Sequence, residues 1–250
     1  MSEAAPNTSF HDDLLNCGVE VMTLTSEEQD ALDREGYVVF PAVIDAPSLD
    51  RLRRAFEDAS GNGRQISKES GTRHITDLVN GDPVFEAVYA HPKTLAAVYH
   101  VLRSPFRLSQ IGGRDPLPGF GQQGLHSDWM ARTKGEPFRV VTAISLLDDF
   151  TANNGATRLV PGTHYLLTNP PKSLAAPASR HPEQRIVVAS AGSVLAFNGH
   201  LWHSGTRNDT NVPRRVLQCS YVGRGELRST RLTCNAPERL SPAARYVLDL

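Results

Sequence analysis

Cysteine is scarce in this chain: Cys17, Cys219 and Cys234 are the only three, and no two of them form a CxxC pair. An odd, scattered set argues against a disulfide framework and against a cysteine-held zinc cluster, and it fits a reducing compartment. Net charge is nearly absent too, with 26 basic against 27 acidic residues and a formal charge of -1. No whole-molecule field therefore draws the chain to DNA, RNA or an anionic membrane. No apolar run reaches the ~18 residues that a membrane-spanning helix needs. The first residues carry Glu3, Asp12 and Asp13 where a secretory leader would carry basic and then apolar residues, so none is expected. No internal repeat is visible. These absences leave a soluble cytoplasmic protein, monomer or homodimer, whose partner is a small molecule and neither a nucleic acid nor a membrane.

What is present is enough for a sizeable core: 40% of the 250 residues are hydrophobic and 21% charged. Barrel-like folds of this length often form one domain. Residues 1–21 have mixed polarity and are expected to form an N-terminal arm. Residues 22–105 read as mostly helical support. Thr25-Ser26-Glu27-Glu28 has the hydroxyl cap and acidic first turn of a helix start, and Tyr37 to Phe40 reads as a short strand. Leu49, Leu52 and Phe56 recur at helical spacing after Pro47. A third helical stretch from Pro83 to Leu102 is broken at His91-Pro92, because a proline restricts the residue before it. The polar segment 61–80 has no period and contains Gly61, Gly63 and Gly71. It is expected to be a long loop, either one that closes over a site or a disordered surface insert.

After Pro105 the pattern turns to β. Phe106 to Ile111 alternates as a strand, Gly112-Gly113-Arg114-Asp115-Pro116 reads as a turn, and Phe138 to Asp148 as a central strand. Gln184 to Val188, Ser193 to Phe197 and Arg215 to Val222 follow. Many short strands behind a helical layer predict a mainly β fold with flanking helices, a jelly roll. Its core is expected over 106–222, with 223–250 as a C-terminal tail.

Within that region lies Gln122-Gln123-Gly124-Leu125-His126-Ser127-Asp128-Trp129. In an extended segment residues two apart share a face, so His126 and Asp128 offer an imidazole and a carboxylate side by side. Two such ligands grip a divalent metal weakly. The best third is His203, in Trp202-His203-Ser204-Gly205, far enough downstream for intervening strands to return the chain to the same place. Two histidines and one carboxylate occupy one face of an octahedron and leave three adjacent positions open, the ligand set of non-heme Fe(II) oxygenases. The open positions accept a bidentate 2-oxo acid and O2. The far carboxylate of such an acid needs a planar cation, and Arg214 and Arg215 both qualify chemically. They would sit on opposite faces of a strand, and the mixed residues that follow leave open which face is inward.

His126-Ser127-Asp128, then Asn154-Gly155-Ala156-Thr157-Arg158-Leu159-Val160-Pro161-Gly162-Thr163-His164, then Trp202-His203-Ser204-Gly205 and Arg214, in that order, resemble the phytanoyl-CoA dioxygenase family of Fe(II)/2-oxoglutarate oxygenases. The glycine-containing run is the most specific of these elements, and the supporting strands extend the match from about Thr25 to about Val222. The resemblance implies a double-stranded β-helix, cupin-like in architecture, with Fe(II) held by His126, Asp128 and His203. It also implies 2-oxoglutarate as cosubstrate, with Arg214 on its distal carboxylate and Gln123 and Thr157 nearby. The implied reaction oxidises a small-molecule metabolite, most simply by hydroxylation in natural-product biosynthesis, with release of succinate and CO2. Related halogenases replace the carboxylate with a small residue, and Asp128 is present here. Desaturation and ring formation by the same iron chemistry are alternatives. Trp129, Arg73 and His74 are expected to contact substrate, Arg158 to be a structural charge partner, and His164 to brace the Pro-Gly turn. A zinc-dependent hydrolase or isomerase, or a cupin-like binding protein, would leave Arg214 and the glycine-containing run without a shared task.

Overall fold

The computed structural model describes residues 24–66, 69–227 and 229–250, so the expected N-terminal arm lies outside the described residues. Helix α1, Ser26–Arg34, starts as its sequence predicts. Thr25 Oγ1 accepts from Glu28 N at 3.3 Å and the Glu28 carboxylate accepts from Thr25 N at 2.8 Å. This reciprocal cap satisfies two N–H groups that the helix cannot pair internally. Strand β1, Tyr37–Phe40, and helix α2, Ala46–Gly61, follow, the latter capped by Asp45. Two short helices, α3 (Glu86–Tyr89) and α4 (Pro92–Leu102), are separated where the sequence places His91-Pro92.

The strands that follow are β4 (Phe106–Pro116), β5 (Val140–Leu146), β6 (Thr157–Val160), β7 (Arg185–Ile186), β8 (Val194–Asn198), β9 (Trp202–Gly205) and β10 (Val216–Gly223). With β2 (Gln65–Ile66) and β3 (Thr72–Ile75) they form two antiparallel sheets, one of seven strands in the order β1-β8-β5-β10-β4-β3-β2 and one of three, β7-β6-β9. The non-sequential order is that of a jelly roll, as predicted.

Side chains alternate between the two faces of each strand, and that parity divides the interior. Val141 and Ala143 of β5 and Leu217, Cys219 and Tyr221 of β10 pack in one core with Leu95 and Val98 of α4. Tyr221 adds a hydrogen bond of 2.8 Å from its hydroxyl to the Tyr89 carbonyl. Ile144, Leu146, Leu195, Phe197 and Val216 point the other way and pack with Leu159 of the small sheet. The helices thus cover the outer face of the large sheet, and its inner face closes on the small one.

Three expectations are corrected here. Segment 61–80 is not a structureless lid: it contains β2 and β3, and β3 adds to β4 with His74 opposite Arg114. Its polar residues hid a strand because Arg73 of β3 is consumed in ion pairs with Glu57 and Asp115. The Gly112-Gly113 pair makes no turn, since β4 runs through it to Pro116. A Cβ on Gly113 would come within 2.5 Å of Ile75 and Phe56, so this glycine marks a close approach of β3 and α2 to the strand. The predicted tail contains helix α5, Pro242–Leu248, whose Tyr246, Val247 and Leu248 are buried in the outer core.

Candidate active site

His126 and His203 exchange both backbone hydrogen bonds, at 3.0 and 2.9 Å, so the metal-binding segment docks on β9 as a single bridge. Two residues on, Asp128 N donates to the Gly199 carbonyl at 2.7 Å. This pairing brings one ligand atom from each of His126, Asp128 and His203 within 4.8 Å of the other two. The imidazole centroids are 4.4 Å apart, and His203 Nε2 lies 3.3 Å from Asp128 Oδ1.

Each ligand is oriented from behind. His126 Nδ1 is 3.0 Å from the Gly124 carbonyl and His203 Nδ1 is 2.8 Å from the Leu201 carbonyl. A carbonyl can only accept, so both rings carry their proton on Nδ1 and turn the Nε2 lone pair toward the site. Thr142, inward on β5, donates to Asp128 Oδ2 at 2.6 Å, leaving Oδ1 for the site. Burial alone would raise the Asp128 carboxyl, but His203 and the Thr142 hydroxyl hold it down at about 2. Burial and the nearby His203 lower His126 below the ordinary imidazole range. Burial acts the same way on His203, yet the adjoining Asp128 carboxylate raises it. An ionised carboxylate and two oriented nitrogens, all on one wall, fit a ferrous ion. Among the described residues these are the only ones grouped to hold a metal.

A cavity of about 700 Å³ opens over these three residues. Arg214, just ahead of β10, lines it and is 1% exposed. Its guanidinium reaches the Gly155 carbonyl, stands 5.0 Å over the Phe150 ring and leaves Nε without a partner. Burial and the nearby Arg114 push its proton affinity well below that of an ordinary guanidinium. A buried cation with a free donor fits the distal carboxylate of a 2-oxo acid. Arg215 points to the other side, with Asp148 at 2.9 Å and Glu57 at 2.9 Å. Gln123 and Thr157 both line the cavity, and Gln123 Oε1 accepts from Gly205 N at 3.2 Å.

The structure brings Trp129 and His74 to the cavity wall but not Arg73. Arg73 sits opposite Asp115 in the β3–β4 register and is clamped to it at 2.7 Å and to Glu57 at 2.7 Å, on the outer face. Its expected substrate contact is overturned by strand parity. Arg158 is structural, though its partners are oxygens of neutral groups: Ser204 Oγ at 2.6 Å and the carbonyls of Ser179 and Gln123 at 2.6 and 3.0 Å. His164 is buried against the Asp33 carbonyl at 3.2 Å, and so braces its turn. Sequence reasoning missed Glu69, Arg114, Gln110, Gln218 and Ser220, all on the wall. The alternation of β10 carried the signal for the last two: Gln218 and Ser220 share the parity of Arg214.

A jelly roll holding two histidines and one carboxylate beside an unpaired buried arginine defines the class of non-heme iron enzymes that take a 2-oxo acid. The family model for phytanoyl-CoA dioxygenase matches residues 32–216, and the chain belongs to that family. It is an Fe(II)/2-oxoglutarate-dependent enzyme that uses O2. A relative in Mycobacterium tuberculosis, the uncharacterized protein Rv1501, is 30% identical over 218 residues, covering 82% of this chain and 77% of the relative. Dioxygenase af480 of Aspergillus fumigatus is 26% identical over 250 residues, covering 93% of this chain and 79% of its own length. Among solved structures, HygX from Streptomyces hygroscopicus, with nickel and 2-oxoglutarate bound, superposes with a TM-score of 0.66 at 22% identity, covering 81% of this chain and 89% of that one. This last likeness speaks to the fold.

Proposed function

We propose that this enzyme hydroxylates a small-molecule metabolite of a natural-product pathway, coupling the oxidation to conversion of 2-oxoglutarate to succinate and CO2. In this reading His126, Asp128 and His203 hold the iron, Arg214 receives the distal carboxylate of 2-oxoglutarate, and Gln123 and Thr157 flank it. His74 and Trp129 stand on the wall left for substrate. Iron, 2-oxoglutarate and O2 together supply a two-electron oxidation of a C–H bond. The protein's residues do the rest: the Nδ1–carbonyl contacts fix the imidazoles, and Thr142 fixes the carboxylate.

The observation that carries the reading is Asp128, present and held ionised where halogen-inserting relatives of this chemistry keep a small residue. A protein carboxylate in that position leaves no room for a halide, so hydroxylation is the simplest outcome. The fungal relative named a dioxygenase supports the oxidation, and a cavity sized for a metabolite of moderate mass supports the small-molecule substrate.

Adding Fe(II) and 2-oxoglutarate without oxygen is expected to give a weak visible metal-to-ligand band in the wild-type protein and none in folded His203→Ala. A metabolite screen then follows succinate release together with product mass. One added oxygen supports hydroxylation; loss of two hydrogens with succinate release assigns desaturation or ring closure.

A further inference from the structure

Among the described residues lining the cavity outside the triad, every charged group but one is engaged. Glu69 pairs with Arg114 at 2.9 Å and lies 3.5 Å from His74 Nε2; Asp77 pairs with Arg64. The exception is Arg214, which the proposed function assigns to 2-oxoglutarate. Nothing charged is left over for a substrate.

Uncommitted neutral polar groups are left over. On the inner face of the large sheet, Ser220 of β10 lies between Thr142 of β5 and Gln110 of β4, and Gln218 lies between Ile144 and Gly112. Gly112 places no side chain between Gln110 and Arg114 along the same face of β4. Gln110, Gln218 and Ser220 all line the cavity. Their side chains make no hydrogen bond to any described residue, whereas Thr142, one strand over, is spent on Asp128 at 2.6 Å. Ser220 is thus the cross-strand neighbour of the residue that holds the carboxylate ligand. Cross-strand neighbours stand about 5 Å apart, so this patch borders the metal site directly. Trp129, Val140, Ile144, Phe197 and Val222 make up much of the remaining wall.

We infer that Gln218, Ser220 and Gln110 form the substrate-orienting patch of the enzyme, and that its substrate is an uncharged, largely apolar molecule bearing hydroxyl or carbonyl groups. This rests on the function proposed above. An amide can donate to a carbonyl and accept from a hydroxyl, and a serine hydroxyl does both, so the patch reads neutral oxygen functions in either sense. A carboxylate, phosphate or thioester-linked nucleotide would meet no free cation there. An ammonium would meet no free carboxylate, and a buried unpaired charge is costly. Gln218 is the specificity-determining residue, because it stands at the centre of the inner face, where its neighbour on β4, Gly112, carries no side chain.

The test uses full-length protein with 2-oxoglutarate and either Zn(II) or Mn(II), so that no turnover occurs. A fragment set of four matched classes (neutral alcohols, ketones and lactams; carboxylates; amines; hydrocarbons) is screened by ligand-observed NMR. Extra line broadening with Mn(II) over Zn(II) places a bound fragment beside the metal. The expected result is that such binders come from the neutral oxygenated class. Gln218→Leu is expected to weaken them about tenfold and Ser220→Ala about threefold. Gln218→Glu is expected to turn preference toward amines. Circular dichroism and melting of each variant check folding, and Ser220→Ala, the smaller change, serves if Gln218→Leu misfolds. Wild-type preference for carboxylates, amines or hydrocarbons, absence of any binder near the metal, or unaltered affinities in both variants would overturn the inference. Metal and 2-oxoglutarate titrations on the same wild-type samples separate its failure from that of the proposed function: if neither binds, the function falls and this inference with it.

Discussion

Arg214 and Arg215 are consecutive, yet they occupy opposite sides of the large sheet. The first is buried in the cavity with no carboxylate partner among the described residues; the second lies between Asp148 and Glu57 on the outer face. One is shaped to receive an anion and the other already has two.

The pair makes a matched experiment. Arg214→Leu removes charge-assisted hydrogen bonds worth about 1.5–3 kcal/mol, so 2-oxoglutarate binding is expected to weaken by roughly 10- to 150-fold with metal affinity little changed. Without cosubstrate the same variant is expected to melt no lower than wild type, because it no longer buries an unpaired cation. Arg215→Leu is expected to show the reverse, a lower melting temperature and a near-normal 2-oxoglutarate dissociation constant. Calorimetric titration and thermal melting read both; a normal cosubstrate constant in Arg214→Leu removes the assignment.

That contrast also shows what could be read in advance. Alternation put the two arginines on opposite faces, and the His126/Asp128 spacing put two ligands on one side. Neither said which face was inward, because β10 carries Gln218 and Ser220 on its inner side and Cys219 and Tyr221 on its outer. A polar inner face is what a cavity wall requires, and it blurs the hydrophobic pattern that would mark a core. Segment 61–80 was obscure for a related reason: Arg73 is polar because it reaches Glu57 and Asp115, partners distant in sequence. Helix starts, by contrast, were legible because Thr25 and Glu28 satisfy each other locally.

Gly113→Ala tests the reinterpretation of the glycine pair. In a turn an added methyl would cost little; in β4 it meets Ile75 and Phe56 at 2.5 Å. Overpacking of this kind costs about 1–3 kcal/mol. Urea unfolding of both proteins measures it, and an unchanged midpoint would contradict the packing of β3 and α2 on this strand.

Glu69 gives a pH dependence with a defined sign. Burial would raise its carboxyl, but the contact with His74 and the charge and hydrogen bonds of Arg114 hold it down at about 2, against 4.5 for a free glutamate. A carboxyl depressed in the folded state contributes stability that is full above the unfolded value and is lost as pH falls through the folded one. The stability gap between wild type and Glu69→Gln is therefore expected to be widest above pH 4.5 and to close toward about pH 2. Melting curves across that range decide it, and a gap independent of pH would show that Glu69 acts through packing instead.

Thr142 supplies the most local test of how the metal wall is built. It is fully buried on β5, and its hydroxyl donates the 2.6 Å hydrogen bond to Asp128 Oδ2. Valine fills nearly the same volume without a donor, so Thr142→Val leaves the fold packed and strands one carboxylate oxygen. The carboxyl then loses one of the interactions that hold it down, and its orientation toward His203 is no longer fixed from behind. Changes to groups that orient a metal ligand typically cost about 10- to 100-fold in metal affinity or activity. Iron affinity of Thr142→Val is accordingly expected to fall by about that factor, with Thr142→Ser recovering most of it because the serine hydroxyl can make the same bond. A melting temperature within a few degrees of wild type would accompany the loss. Equal iron affinity in wild type, Thr142→Val and Thr142→Ser would mean that Asp128 is positioned by its backbone hydrogen bond to Gly199 alone.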